Sequence, residues 1–446
     1  MNVDSHVTVV GAGIAGTEAA WQLARRGIRV TLVEMRPTKM PPAHHTDLFA
    51  ELVCSNSFKG TDPASAAGLI KHELGALGSV VLRAAHESRV PAGAALAVDR
   101  ERFSGALTEL ITHEPLIRVE RAEQTDLPPG PCVIATGPLT SEGFEPALSR
   151  LVGQDRLSFY DAAAPIVEAA TIDREIAFAA SRYGKGEGAD YLNCPMNREE
   201  YERFISALLD AERVVDKSFE RMDLFQACQP VEQIASTGPD ALRFGALKPV
   251  GLTDPRTGER PHAVVQLRAE TAAGTAYNLV GFQTNLRFGE QQRVFRLIPG
   301  LENAEFVRYG VMHRNTYVDA PRILAPSLEI RSAPGYWIAG QLAGTEGYLE
   351  AAATGLLAAL NVWASQTGDE PVVLPPTTAI GSLLAYATDS ETTRYQPMHV
   401  NFGLMPPLPH RVRGKKERYS AYADRAHNDL AEWMMRRPEL GLADAG

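Results

Sequence analysis

The sequence predicts an α/β protein, a Rossmann-like dinucleotide-binding domain split in two by an inserted α+β domain. Three observations lead there. Val7-Thr8-Val9-Val10 runs into Gly11-Ala12-Gly13-Ile14-Ala15-Gly16 and then into a helical stretch ending near Arg26-Gly27. A second strand-turn-helix unit stands far along the chain: Tyr336 to Ala339, the glycine-rich Gly340 to Tyr348, and a helix from Leu349 to Trp363. Between them, from about Asp190 to Leu324, the composition shifts toward arginine, short strands and turn signals. The expected boundaries are therefore 1–189 and 325–446 for the two parts of the dinucleotide domain, and 190–324 for the insertion.

In the first unit Gly11 allows the tight turn, Gly13 lets the backbone approach a pyrophosphate, and Gly16 lets helix and strand pack closely. The free N–H groups at the helix start then face the phosphates. A second apolar run, Ile28 to Val33, ends in Glu34, which is placed to accept hydrogen bonds from a ribose 2′-hydroxyl. An acid there argues for an unphosphorylated adenosine ribose.

A chain of 446 residues suggests two or three domains and can bury a large site. Hydrophobic residues at 45% and charged residues at 22% are those of an ordinary globular protein. The first strand begins with no signal-peptide pattern before it, and no apolar run approaches the roughly 18 residues of a membrane span. A cytoplasmic protein without a membrane contact is expected. The four cysteines Cys54, Cys132, Cys194 and Cys228 include no CxxC pair, which fits neither a disulfide framework nor a structural zinc site. A net charge of -10 argues against non-specific nucleic-acid binding but leaves room for a local basic face. Two stretches qualify: Arg243 to Arg322, with eleven Lys/Arg against seven Asp/Glu, and the run Arg411, Arg413, Lys415, Lys416 and Arg418.

Along the chain, the proline-punctuated Pro37 to Pro42 leads into a polar loop, His44 to Gly60, that carries Cys54. A loop following the nucleotide-binding unit can reach a bound cofactor, because ligands lie beyond the carboxyl ends of the strands. His44 and His45 are adjacent and point apart, so no shared metal site is expected. Leu69 to Leu82 reads as one helix, and Phe103 to Leu110 as another. Cys132 to Ile134 is a buried strand ending in Ala135-Thr136-Gly137, a turn of the kind that lets the backbone approach a cofactor in two-dinucleotide-fold flavoproteins. In the insertion, Cys194 and Cys228 each lie close to a proline among polar residues, a loop-like setting, and Cys194 is read as structural. Amides, a histidine and an arginine at Tyr277–Asn285 and Gly310–Asn315 are candidates to line a polar site. The second unit, with Gly340, Gln341, Gly347 and Tyr348, is what closes over a ribityl chain and isoalloxazine ring. With no second GxGxxG for a nicotinamide domain, the bound cofactor should be FAD and NADH or NADPH a visiting reductant.

Across nearly the whole chain the pattern resembles the bacterial folate- and FAD-dependent tRNA (uracil-5-)-methyltransferases. The matching stretches are Ala43 to Gly60, Tyr191 to Met196, Phe244 to Leu252, Gly281 to Asn285, Arg308 to Asn315, Gly340 to Glu350 and Gln396 to Leu404. One departure is Gln226-Ala227-Cys228, where that family usually shows Glu-Gly-Cys. The resemblance implies transfer of the one-carbon unit of 5,10-methylenetetrahydrofolate, via reduced FAD, to C5 of the T-loop uridine of tRNA, with NAD(P)H restoring the flavin. It implies Cys54 and Cys228 as catalytic thiols. Cys228 is assigned the attack on uracil C6, and Cys54 the role of general base or protective partner near the flavin; the opposite assignment stays open. The expected partners are tRNA, through its T-arm and the two basic stretches, folate and NAD(P)H, with no protein partner implied. The competing readings are a flavin oxidoreductase acting on a small molecule, an RNA-binding protein holding FAD structurally, and the wobble-uridine modification flavoproteins. The last share the FAD scaffold but are longer, and differ around Cys54.

Overall fold

The computed structural model describes residues 6–41, 43–153, 157–162, 164–186, 189–214, 229–270, 273–310, 312–392, 395 and 397–441. Cys228 lies outside them. Five parallel strands form the sheet of the dinucleotide domain, in the order Tyr336–Ile338, Cys132–Ile134, His6–Val10, Arg29–Glu34, Ile117–Arg121. Burial on both faces suits the largely apolar inner strands, which only Thr8 and Thr31 interrupt between their ends. The chain end that supplies Tyr336–Ile338 thus completes a sheet begun by residue 6.

The glycines at the first turn have distinct steric causes. Gly11 has φ +98°, and a Cβ there would sit 2.6 Å from the Ala135 carbonyl oxygen of the neighbouring strand's turn. At Gly16 a Cβ would lie 1.7 Å from the Gly11 carbonyl oxygen, so helix Ile14–Ala24 could not fold back on its own strand. That helix packs against the alanine-rich Tyr348–Thr367 so closely that a Cβ on Gly355 would be 2.2 Å from the Ala15 carbonyl oxygen.

The single helix expected over 69–82 is two, Ala66–Ala76 and Val80–Glu87. Gly78 takes φ +76°, and Ser79 restarts the chain by accepting from the Leu82 N–H at 3.2 Å. Glu18, fully buried in the first helix, accepts from Ser79 Oγ at 2.7 Å and from the Val80 and Val81 N–H groups at 3.3 and 3.0 Å. A carboxylate at a helix N-terminus favours the break over a continuous helix.

The second core surrounds a six-stranded antiparallel sheet, ordered Phe178–Ala179, Tyr191–Met196, Ala263–Ala269, Ala276–Leu279, Ile166–Glu168, Phe306–Arg308. Two of these strands, from 166 and 178, precede residue 190 and belong by hydrogen bonding to the insertion's sheet. Cys194, expected in a loop, lies in a strand with its neighbour Pro195. The strand tolerates that proline because Val264, opposite it, sends its N–H to the Leu247 carbonyl, and on the other side Phe178–Ala179 pairs only with Leu192 and Asn193. A small sheet, Ser57–Gly60 with Ala95–Val98 and Arg89–Val90, carries the far end of the Cys54 loop. Among the described residues no helix is long and apolar enough to cross a membrane, and no cluster of His, Cys, Asp and Glu is arranged to hold a metal.

Candidate active site

The turns at the carboxyl ends of the five parallel strands and the loop around Cys54 enclose a cavity of about 400 Å3. Its wall includes Gly11, Gly13, Ile14, Ala15, Glu34, Thr136, Gly137, Gly340, Gln341, Gly347, Tyr348 and Cys54. All come from the sequence-predicted set. Of the other three of that set, Cys228 lies outside the described residues and two stand behind the wall. Ala12 donates its N–H to Glu34 Oε2 at 2.8 Å and its carbonyl accepts from the Ala50 N–H, while Gly16 packs on Gly11.

The residues present fit a bound FAD. No atom lies within 4 Å of the Cβ position of Gly13, which leaves the turn open for a pyrophosphate. Helices Ile14–Ala24 and Tyr348–Thr367 both start at the cavity without a side-chain cap, so their N-terminal dipoles point at the space an anionic group would take. Glu34 accepts three hydrogen bonds, from Ala12 N–H, Arg36 N–H and Arg36 Nε at 2.8, 3.0 and 2.8 Å, leaving part of the capacity of a carboxylate for a ribose hydroxyl. Burial alone would raise the Glu34 pKa, but the Arg36 side chain outweighs it and holds the carboxyl below its ordinary value.

The polar loop predicted around His44 to Gly60 is ordered by buried charge. Arg36 reaches Glu51 at 3.3 Å, and Glu51 accepts from the His45 and Thr46 N–H groups at 2.9 and 3.1 Å. His44 lines the cavity; burial, with Arg36 adding to it, lowers its pKa to about 4, so its imidazole is neutral near pH 7. Across the cavity Lys59 pairs with the buried Glu350 at 2.9 Å, beside His399, whose pKa burial also depresses.

Cys54 is half-buried, with Sγ 3.1 Å from the Tyr348 hydroxyl. That hydroxyl oxygen accepts the N–H groups of Cys54 and Ser55 at 3.1 and 3.3 Å. With its lone pairs taken, the Tyr348 O–H is left to donate to the sulfur. Burial first, and then the neighbouring Cys54, push the Tyr348 pKa well up, which keeps it a donor. Cys132 and Cys194 are fully buried, and burial raises both thiols far from the thiolate range. Of the described cysteines, Cys54 is the one on the cavity wall.

Gln283, in the predicted Tyr277–Asn285 set, reaches the wall. Its carbonyl accepts from the Val231 N–H at 2.7 Å, and that of Asn285 from the Val214 N–H at 2.8 Å. Val214 and Val231 stand in the sequence on either side of the segment that contains Cys228. Sequence reasoning missed Arg36, Lys59 and three arginines, Arg100, Arg268 and Arg308, that grip the Cys54 loop. A lone arginine inside the apolar strand Ala263–Ala269 was the available signal for Arg268.

Residues 6–370 match the family described as Glucose inhibited division protein A. The methylenetetrahydrofolate--tRNA-(uracil-5-)-methyltransferase TrmFO of Desulforudis audaxviator is 57% identical over 435 residues, covering 97% of this chain and 99% of that protein. TrmFO of Thermosynechococcus vestitus is 57% identical over 430 residues, covering 96% of this chain and 94% of that protein. Among solved structures, Aquifex aeolicus GidA in the form II crystal aligns with a TM-score of 0.71 at 18% identity, over 100% of this chain and 75% of that one, a likeness of fold.

Proposed function

Because this chain belongs to the TrmFO family of methylenetetrahydrofolate--tRNA-(uracil-5-)-methyltransferases, we propose that it methylates C5 of the T-loop uridine of tRNA with folate as donor, FAD as bound cofactor and NADH or NADPH as reductant. The observation that carries this reading is a thiol, Cys54, on the wall of a dinucleotide cavity and hydrogen-bonded to a buried tyrosine. When bound, FAD supplies a carrier for the one-carbon unit and the electrons that complete the methyl group.

The protein's share is to make a poor nucleophile reactive. A thiolate adds to C6 of the uracil, which turns C5 into an enolate carbon; after C5 has taken up the one-carbon unit a base removes its proton, and the C6–S bond breaks to release the thiolate. Cys228 is assigned the addition. Cys54, held at the cavity by Tyr348, is assigned the base or protective role. The inert burial of Cys132 and Cys194 supports taking the two thiols from Cys54 and Cys228. Tyr348→Phe is expected to slow methyl transfer about 10- to 100-fold, the effect of removing one charge-assisted hydrogen bond, while FAD absorbance per protein stays unchanged. Single-turnover methylation of preloaded enzyme measures it.

For the tRNA, the C-terminal basic run is better supported than the insertion's. Arg243, Arg256, Arg287, Arg293 and Arg322 each pair with an acid of the same chain, for the most part at the surface, and Arg268 and Arg308 are turned inward. Arg411, Arg413, Lys415, Lys416 and Arg418 are all exposed, with Lys415 and Arg418 resting over the Tyr419 ring. The test of the function is label transfer into unmodified tRNA from methylenetetrahydrofolate with NAD(P)H, against S-adenosylmethionine as control donor. Folate-dependent ribothymidine is the expected product; flavin reduction without incorporation would leave a small-molecule oxidoreductase.

A further inference from the structure

Five consecutive residues of the Cys54 loop are each hydrogen-bonded to one of three arginines. Arg100 donates through Nη1 to the Leu52 carbonyl and through Nη2 to that of Cys54 at 3.5 Å. Arg308 Nη2 donates to the Val53 carbonyl at 2.7 Å. Arg268 donates through Nη2 to Ser55 Oγ at 2.8 Å and through Nε to Asn56 Oδ1 at 2.7 Å. Arg268 and Arg308 come from the antiparallel sheet of the insertion, and Glu270, just past the strand that carries Arg268, pairs with Arg100 of the first domain.

The burial of these groups gives the arrangement its weight. Arg268 is 6% exposed and Asn56 fully buried. Burying a guanidinium is costly, and a planar fork bonded to two adjacent side chains fixes direction as well as charge. Asn56 adds to the seam by donating to the carbonyls of Val98 and Ala269, both at 2.9 Å. Besides Tyr348, the charged and titratable groups around the loop are these arginines, Glu270 against Arg100, Tyr191 against Arg268, and Glu51 and His45 beside Arg308.

We propose that Arg268 is a positioning residue: acting through Ser55 and Asn56, it lets the inserted domain set where the Cys54 sulfur stands against Tyr348 and the cavity. This rests on the reading of Cys54 as a working thiol. Consequently the insertion is part of the apparatus that orients the thiol.

The test is alkylation of Cys54 by iodoacetamide in the FAD-loaded enzyme, followed peptide by peptide across pH 6 to 10. Removing the fork and its nearby charge in Arg268→Ala is expected to lower the rate near pH 7 about tenfold and move the midpoint of the pH profile upward, with FAD content unchanged. An unchanged profile would overturn the proposal. Arg268→Lys keeps charge and loses the fork, so it should recover less than half of the loss; full recovery would assign the effect to charge alone and overturn a positioning role. Ser55→Ala, a milder change, should move the profile the same way by a smaller amount, and no movement there would count against the proposal even if Arg268→Ala failed to fold. Methylation is assayed in parallel. A shifted profile with unaltered methyl transfer would remove Cys54 from the reaction while leaving the clamp in place.

Discussion

Cys54→Ala is expected to reduce folate-dependent ribothymidine formation by more than about a thousandfold, within the range that removing a catalytic nucleophile or base produces. The loss should be chemical. The glycine turn, Glu34 and the N-terminus of the Tyr348 helix are untouched by the substitution, and the backbone N–H of residue 54 still has the Tyr348 oxygen to bind, so the flavin spectrum should survive. Cys228→Ala should cost as much, yet the two variants separate on a mechanism-based probe. With 5-fluorouracil in a T-loop RNA, C5 carries fluorine where the departing proton would be, and the thiol that adds to C6 stays attached. Cys228→Ala should abolish that covalent complex on denaturing gels. Persistence of the complex in Cys228→Ala, with its loss in Cys54→Ala, would move the attack to Cys54.

The second large effect lies in the fold. Gly355→Ala adds one carbon where backbone already stands, 2.2 Å from the Ala15 carbonyl oxygen and 2.9 Å from Ala15 Cα. No side chain can swing away, so helices Ile14–Ala24 and Tyr348–Thr367 must separate. Overpacking of this kind costs about 1–3 kcal/mol. Both helices begin at the cavity, so FAD affinity should fall with stability, read as a lower Tm and as flavin lost on gel filtration. Gly105→Ala is the control: no atom lies within 4 Å of that Cβ position on helix Arg100–Thr112, and exchanging glycine for alanine inside a helix should stabilise slightly. Equal behaviour of the two variants would sink the close-packing argument.

What was legible in the sequence divides along the range of the interactions. Gly11, Gly13, Gly16 and Glu34 form a local pattern whose physics plays out within about thirty residues, and they stand as that pattern requires. The second unit at Tyr336 to Trp363 was readable for the same reason. The helix expected over 69–82 breaks at Gly78 and Ser79, a local stop and restart, and the partner that holds the break, Glu18, comes from a helix distant in sequence. The grip on Cys54 was out of reach in the same way. Arg268 and Arg308 lie more than 200 positions from the loop they hold, with sequence separations of 212 for Arg268 to Asn56 and 255 for Arg308 to Val53. Composition registered these arginines only as part of a basic stretch, where a solvated or RNA-facing role is the natural expectation. The structure turns them inward instead.

The order of the parallel sheet has a consequence for how the chain comes off the ribosome. Strand Cys132–Ile134 is flanked by His6–Val10 on one side and by Tyr336–Ile338 on the other. About 200 residues separate it from that second neighbour, a stretch that takes roughly 10–40 s to synthesise at common elongation rates. Throughout that interval the backbone edge of the apolar strand at 132–134 has no strand to pair with, and the helix that shields Ala15 has not yet been made. An unpaired hydrophobic edge of this sort is a template for association with other chains. The insertion emerges during the wait and can close its own core first, because its strands pair among residues 166–308. Nascent chains stalled before residue 336 should accordingly present a folded second sheet beside an open first one, the form of this protein most in need of a chaperone.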